Sequence, residues 1–357
     1  MRDELTSLDL YFLMQEFQEI VNAKIDKVFQ KDNLLQFQIH IPNKGKKFLI
    51  IHLPSLICIC DNKEPITSSD KFALSLRKHI KNTRIREIRQ LEFERILYIK
   101  LEIENKSLLL YIELFKPGNI VLCNSSNKII MALKYKGFGS RLIRPGITYD
   151  YPKKEFNFLK LKESDLKKVL DKSDKKSVVI TLATDLGLGG FYSEFLCILA
   201  DIDKKSQKLN DKEQKRLFKV IKDIIKTVPK AYIHQNIITP IEIYKESEQH
   251  ASFNKLLCKF HEKEMTLQKK GLTKKDKEKK KIERIIKTQE TQITGLKKSY
   301  LENKKKGELI YEKYTEIKEI IEQVKKTLQK GSWAEVKKNK QIIDVNEKEK
   351  KVTITLK

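Results

Sequence analysis

The sequence has only five cysteines in 357 residues, and none of them forms a C-x-x-C pair. Their odd number and their spacing exclude both a small disulfide-rich scaffold and a zinc site built on paired cysteines. Cys58 and Cys60 alternate along a predicted strand, so we expect unpaired thiols buried as small hydrophobic groups in a reducing compartment. The six histidines show no metal-ligand spacing, so no metal or other cofactor is expected.

Long apolar segments are also missing. No stretch approaches the roughly 18 uncharged apolar residues of a transmembrane helix, and the opening apolar run is too short and too acidic for a signal peptide. We therefore expect a soluble, cytoplasmic protein with no membrane partner. G-x-S-x-G, P-loop and zinc motifs and Cys/His pairs are absent as well, so the chain is not expected to be an enzyme.

Acidic residues are outnumbered by basic ones. The chain has 74 Lys plus Arg against 48 Asp plus Glu, a formal net charge of +26. Such an excess favours a polyanionic partner, because basic side chains that neutralise phosphates release condensed counterions. The alternative is a Lys-rich composition spread over the whole surface, since acids are abundant in every segment. The surplus is densest in residues 261–330, and only the run 269–281 exceeds what solubility needs.

Residues 1–155 are predicted to form an α+β domain. Thr6 and Ser7 are candidate caps of an opening helix whose apolar residues share one face. Alternating apolar residues then predict a series of strands, interrupted by a helix over about residues 69–80. The domain is expected to end near residues 144–152, where Pro and Gly are concentrated.

Residues 156–250 are predicted to contain short helices, two of which flank the turn at Gly187, Gly189 and Gly190. Such a helix-hairpin-helix unit leaves backbone N–H groups free at the start of its second helix, where they attract phosphate. Glycine suits this turn because a Cβ would block close backbone approach and a positive φ. The alternative is an ordinary packing corner between two helices, and the motif by itself does not decide between the two.

Residues 251–330 are predicted to form a long antiparallel two-helix coiled coil, because apolar residues recur at alternating spacings of four and three. The hairpin tip is expected at residues 303–307. Residues 331–357 hold two short strand-like runs and are predicted to form a β-hairpin, the possible start of a further domain.

Several segments in this order resemble one known family. They are LTSLDLYFLMQEF, Phe72-Ala73 with Leu76-Arg77-Lys78-His79, Phe93-Glu94-Arg95, IELFKPGNIVLCN, Arg144-Pro145-Gly146 with Tyr149, DLGLGGFYSEFLC, ASFNKLL and GELIYEKY. Each segment is weak alone, but their order and spacing together are specific. On these segments the chain is similar to the NFACT family of RqcH-like and NEMF-like ribosome quality control factors, once called fibronectin-binding proteins.

The resemblance implies an NFACT-N domain like the N-terminal domain of formamidopyrimidine-DNA glycosylases, then a helix-hairpin-helix unit and the coiled coil. It implies binding to stalled large ribosomal subunits that carry peptidyl-tRNA, positioning of a tRNA near the A site, and template-free C-terminal tailing. The partners it implies are tRNA and the large subunit with its rRNA. Most family members continue into an NFACT-R domain, whereas this sequence stops after about one hairpin. Three explanations stay open: the sequence is truncated, NFACT-R is a separate polypeptide and so a further partner, or this lineage dispenses with it.

The resemblance also implies site residues. The family's tRNA-handling positions match Asp9, Glu94 and Arg95, although Glu94 replaces the usual Asp and is one methylene longer. Without the resemblance, Glu94 and Arg95 would be taken for charged surface residues of a sheet. Clustered charge and the glycine turn add the expected RNA phosphate contacts: Arg77, Lys78, Arg84, Arg141, Arg144, Gly187, Gly189 and Gly190.

Two other functions fit the sequence less well. A helix-hairpin-helix DNA-binding protein related to base-excision glycosylases shares the charge and the hairpin. This chain lacks the N-terminal Pro nucleophile of those enzymes, because it begins Met1-Arg2-Asp3-Glu4. A DNA-binding function would also not explain the long helical arm. An extracellular adhesin would need a secretion signal and is discarded.

Overall fold

The computed structural model describes most of the chain. The described residues are 4–66, 69–104, 106–135, 137–138, 141–235, 237–269, 307–329, 333–336, 342–346 and 351–354, with single helical positions between 282 and 305. They fall into two compact units, Met1–Thr266 and Leu267–Lys357.

The first helix, α1, spans Ser7–Phe17 and confirms the predicted opening helix. A reciprocal capping box fixes its start. The Thr6 hydroxyl accepts from Asp9 N at 3.2 Å, and the Asp9 carboxylate accepts from Thr6 N at 2.8 Å. A short 3₁₀ turn at Gln18–Ile20 follows and ends the helix.

A nine-stranded antiparallel sheet forms most of the N-terminal region, in the order β4-β3-β2-β1-β5-β6-β7-β8-β9. Its strands are β1 Lys24–Lys31, β2 Leu34–Ile41, β3 Gly45–His52, β4 Leu56–Cys60, β5 Arg84–Gln90, β6 Ile96–Ile103, β7 Lys106–Glu113, β8 Asn119–Asn124 and β9 Ile129–Ala132. Helix α2, Lys71–Ile80, lies between β4 and β5 in sequence. The α+β class predicted for this region is confirmed.

A helical layer with a small sheet follows in the chain. Its elements are β10 Gly137–Phe138, β11 Arg141–Leu142, a 3₁₀ turn at Phe158–Lys160, α3 Glu163–Lys172, α4 Val178–Thr184, α5 Gly189–Leu199, α6 Asp211–Lys226, β12 Ala231–His234, β13 Ile237–Thr239 and β14 Glu248–His250. Helices α4 and α5 flank the glycine turn. Strands β12–β14 form a separate sheet that the sequence did not predict, because three- and four-residue strands carry little alternation.

Helix α1 contributes to two hydrophobic cores at once. Leu10, Leu13 and Phe17 pack in the core beneath the sheet, whereas Leu8 and Phe12 pack in the core of the helical layer. Helix α1 thus packs against both layers, so the regions predicted as residues 1–155 and 156–250 are joined through this helix.

Helix α7, Phe253–Lys269, begins at a carboxylate supplied by α1. Glu16 accepts from Phe253 N at 2.8 Å and from Asn254 N at 3.3 Å, and it also accepts from the Ser252 hydroxyl. The Asn254 amide accepts from Ile59 N at 2.7 Å and donates to Ile59 O at 2.8 Å. The ASFN segment therefore anchors α7 to the edge strand β4.

The cysteines do not all behave as predicted. Cys58, Cys123 and Cys197 are buried free thiols, as expected. Cys60 and Cys258, however, are joined by a disulfide that links β4 to α7. The prediction that every thiol is unpaired is therefore wrong, because the fold brings together two cysteines 198 residues apart in sequence.

The second unit contains α8 Tyr314–Gln329, α9 Trp333–Val336 and the antiparallel pair β15 Ile342–Asn346 and β16 Lys351–Ile354. This pair confirms the predicted C-terminal hairpin. The turn predicted at residues 303–307 is wrong at the described positions, since 303–305 and 307 are helical. Pairing of two antiparallel arms stays a prediction. Apart from Lys269, the basic run 269–281 lies outside the described residues.

Candidate functional site

A cleft of about 530 Å³ opens where the start of α1 meets the β5–β6 turn and the glycine turn before α5. It lies wholly within the first compact unit. Four of the residues expected to contact tRNA or RNA line it: Glu94, Arg95, Gly187 and Gly189. The cleft thus joins sequence segments about ninety residues apart.

The β5–β6 turn presents Glu94 and Arg95 from a rigid base. Phe93, which directly precedes them, is buried in the core and stacks on Phe158 with a ring-centroid distance of 4.6 Å. The buried Gln90 amide donates to the Glu94 carbonyl and to the Ser7 carbonyl, each at 2.9 Å. These contacts fix the backbone, so the two charged side chains enter the cleft from a defined position.

Arg95 is held by a carboxylate in front of α1. Its Nη1 donates to Glu4 Oε2 at 2.6 Å, with side-chain exposures of 29% and 22%, and Lys116 Nζ lies 3.3 Å from Glu4 Oε1. Burial raises the pKa of Glu4, but the hydrogen bonds and positive charge of Arg95 and Lys116 outweigh it and leave that pKa below its ordinary value. Glu4 is therefore ionised at neutral pH and orients the guanidinium.

Glu94 has a partner that the sequence did not reveal. Lys154 Nζ donates to Glu94 Oε1 at 2.6 Å, with side-chain exposures of 28% and 15%. The two residues are 60 positions apart, and no spacing rule connects them. The extra methylene of Glu94, relative to the aspartate usual in the resembled motif, lengthens its reach toward this lysine.

The glycine turn forms the opposite wall of the cleft. Gly187 and Gly189 have φ of +73° and +74°, a left-handed conformation that favours glycine. Helix α5 starts at Gly189, and its N-cap residue, Leu188, has no side-chain oxygen that could accept a hydrogen bond from the first turn. The start of α5 at the rim of the cleft thus lacks a cap from its N-cap residue, and its dipole favours an anion there.

The family follows from a match over nearly the whole chain. Residues 6–357 match the family described as the NFACT N-terminal and middle domains. The chain belongs to the NFACT family. This confirms the resemblance seen in the sequence.

Of two relatives of this NFACT chain, one is described as an Rqc2 homolog and the other as a subunit of a ribosome quality control complex. An archaeal Rqc2 homolog, aRqcH of Methanocaldococcus jannaschii, is 29% identical over 364 residues, which cover 95% of the chain and 54% of that relative. Ribosome quality control complex subunit 2 of Saccharomyces cerevisiae is 27% identical over 138 residues, 38% of the chain and 13% of that protein. The chain therefore spans about half the length of the archaeal relative.

Solved structures share the NFACT fold. The N-terminal part of the fibronectin/fibrinogen-binding protein from Streptococcus suis superposes with a TM-score of 0.60 at 20% identity, covering 73% of this chain and all of that one (100%). The fibrinogen-binding protein from Staphylococcus aureus gives a TM-score of 0.58 at 16% identity, covering 71% and 98%. At such low identity these matches show the fold alone.

Two features are absent from the described part of this NFACT chain. No helix there combines the length and the apolar character that crossing a membrane demands. In the same residues, no three His, Cys, Asp or Glu side chains are grouped so that they could hold a metal ion.

Asp9, expected to contact tRNA, lies below the cleft and not in its wall. It is completely buried, it caps α1 through Thr6, and its Oδ1 accepts from the Tyr192 hydroxyl at 2.6 Å. Tyr192 belongs to α5, so Asp9 ties the two helices that border the cleft. Asp9 thus connects α1 and α5 and has no exposed surface in the free protein, and its contact with tRNA stays a prediction.

The expected phosphate contacts outside the cleft divide into two groups. Arg77 donates to Val28 O and Arg141 donates to Glu113, so both guanidinium groups are bonded inside the fold. The Arg141 side chain is only 8% exposed. Burial and the nearby Glu113 carboxylate raise the pKa of Tyr149, which shares that carboxylate with Arg141. The remaining expected residues are exposed and do not line the cleft: Lys78, Arg84, Arg144 and Gly190.

Proposed function

We propose that this chain is the RNA-binding part of a ribosome quality control factor, which binds stalled large ribosomal subunits carrying peptidyl-tRNA and holds a tRNA in the N-terminal cleft. The observation that carries the proposal is the meeting of Glu94 and Arg95 with the uncapped start of α5 in one cleft. Similarity to aRqcH over 95% of the chain supports the ribosomal setting. The net charge of +26 supports a polyanionic partner.

Arg95 is the residue best suited to touch the tRNA. A guanidinium is planar and permanently charged, and it offers paired donors that match a phosphate or a guanine edge. Glu4 already holds it at 2.6 Å, so little conformational freedom is lost when RNA arrives. Among the described residues, the hydrogen bond to Glu4 uses one nitrogen of the guanidinium, Nη1, so its other donors can face the RNA.

The test is tRNA retention. Arg95→Ala is expected to reduce the tRNA that co-purifies with the chain, while its circular dichroism and melting curve stay close to wild type. Arg86→Ala is the matched control, because Arg86 is also paired with a glutamate, Glu102, but sits outside the cleft with 43% exposure. Equal tRNA occupancy in the two variants would remove Arg95 from the site.

Ribosome binding is tested separately. After translation has been stalled in a lysate, the chain is expected to co-sediment with large subunits, together with any NFACT-R polypeptide that completes the factor. Competition among duplex DNA, tRNA and large subunits at physiological salt separates this function from that of a helix-hairpin-helix DNA-binding protein. Preference for duplex DNA, or sedimentation free of large subunits, refutes the proposal.

The proposal extends to template-free C-terminal tailing. The chain would supply positioning, while the aminoacyl-tRNA ester and the ribosome's own catalytic centre would make the peptide bond. Mass spectrometry of nascent chains on isolated large subunits, with and without the protein and charged tRNA, tests this part. Nascent chains of unchanged mass would limit the function to binding.

A further inference from the structure

Lys154 reaches Glu94 by crossing directly over Gly187. A Cβ built on Gly187 would lie 2.7 Å from Lys154 Cε and 2.8 Å from Lys154 Nζ, far inside van der Waals contact. A Cβ at position 187 would require the flexible end of Lys154 to move from its place 2.6 Å from Glu94 Oε1. Gly187 therefore leaves free the space that the end of the Lys154 side chain occupies in the cleft.

Backbone conformation alone does not account for Gly187. The chain uses non-glycine residues at other left-handed positions, among them Asn127 with φ of +60°. Gly146 has φ of +84°, yet a Cβ there would meet nothing within 4 Å. At Gly187 the positive φ coincides with a second restriction, because an added Cβ would collide with the side chain of Lys154.

We propose that Lys154 is an RNA phosphate-binding residue of the cleft, held ready by Glu94 and admitted by Gly187. This rests on the proposed function. In the free protein the cleft contains two ion pairs side by side, Arg95 with Glu4 and Lys154 with Glu94. Each glutamate contacts one nitrogen of its cationic partner, and both cations line the same cleft.

An ammonium group has three donors and acts as a compact point charge. One donor of Lys154 is used on Glu94, and the side chain retains 28% exposure. The remaining donors can bind a phosphate oxygen without breaking the Glu94 pair. The start of α5, whose N-cap residue Leu188 supplies no side-chain cap, lines the same cleft as Lys154. The dipole of α5 therefore lowers the cost of bringing a phosphate into this cleft.

The salt dependence of tRNA binding tests the assignment. A residue that neutralises a phosphate contributes about one to the slope of log affinity against log salt, whereas a residue that only stabilises the fold contributes nothing. Lys154→Ala is expected to weaken tRNA binding roughly tenfold at moderate salt and to lower the slope by about one. Lys154→Arg, which keeps the charge, is expected to restore the slope.

A double-mutant cycle tests the role of Gly187. Gly187→Ala is expected to weaken tRNA binding in the wild-type chain but to have no further effect on binding when Lys154 is already alanine. Gly146→Ala is the control for inserting a side chain at positive φ. An additive effect of the Gly187 and Lys154 changes would mean that the glycine acts through backbone conformation and not through the lysine.

The outcomes distinguish this inference from the function on which it rests. A wild-type slope in Lys154→Ala, with tRNA binding still lost in Arg95→Ala, would overturn the role of Lys154 and leave the cleft as the tRNA site. Absence of tRNA binding by the wild-type chain would overturn both.

Discussion

The anchoring of α7 by Glu16 gives a prediction whose size follows from the structure. Glu16→Ala removes the acceptor of the first backbone N–H groups of α7, at 2.8 Å for Phe253 and 3.3 Å for Asn254. Loss of a helix cap costs about 0.5–2 kcal/mol, and a hydrogen bond to a charged group contributes about 1.5–3 kcal/mol. Because these two terms describe overlapping contacts, the expected loss of unfolding free energy is about 2–3 kcal/mol.

The corresponding shift in melting temperature depends on the size of the cooperative unit. For Met1–Thr266, an unfolding entropy of about 2.1 cal/mol/K per residue gives about 0.56 kcal/mol/K. Glu16→Ala should therefore lower the melting temperature by about 4–5 °C. Differential scanning calorimetry measures this shift, and urea unfolding measures the free energy independently.

Glu19→Ala is the matched control for this change. Glu19 lies one turn away and pairs with Lys44 at 2.8 Å, but the two side chains are 32% and 55% exposed. Exposed ion pairs of this kind contribute at most about 1 kcal/mol. If Glu16→Ala and Glu19→Ala were equally stable, the view that Glu16 anchors α7 would be refuted.

Three further predictions concern the first unit. Denatured in the absence of reductant, the chain should take up three iodoacetamide groups, and five after reduction, because Cys60 and Cys258 are paired and the other three thiols are free; five without reductant would contradict the disulfide. Tyr192→Phe should destabilise the chain by about 1.5–3 kcal/mol in urea unfolding, since the hydroxyl donates to the buried Asp9 carboxylate at 2.6 Å. The depressed pKa of Glu4 contributes stability above the unfolded-state pKa that is lost as pH falls through the lower folded-state pKa. Glu4→Gln should therefore flatten the stability profile below about pH 4.5, and an unchanged profile would contradict this.

Local signals predicted local structure well. The cap at Thr6 and the apolar face behind it predicted α1, and the apolar alternation predicted a series of strands, of which Leu56–Cys60 and Ile96–Ile103 are two. The turn expected at residues 303–307 failed for a physical reason. One glycine costs a helix only about 1 kcal/mol, and the apolar pattern continues on both sides of Gly307, so the described positions 303–305 and 307 are helical.

The candidate site was predictable only in part. Glu94 and Arg95 were found through the resemblance and the glycine turn through its own residue pattern, and the structure brings them together in the cleft. Lys154 could not be found, because its pairing with Glu94 depends on tertiary packing and on an absent side chain at Gly187. The burial of Asp9 was equally hidden, since the same carboxylate pattern serves a helix cap or an exposed site.

The amide of Asn254 has a consequence for how copies of this protein behave in a crowded cell. By bonding both backbone groups of Ile59, it imitates one residue of a tenth strand at the outer border of the sheet. An exposed border strand is a template on which a second molecule can polymerise, and Ile59 offers no free backbone groups for that purpose. The residue that fixes the start of α7 therefore also occupies the backbone groups through which a further strand could pair with the sheet at Ile59.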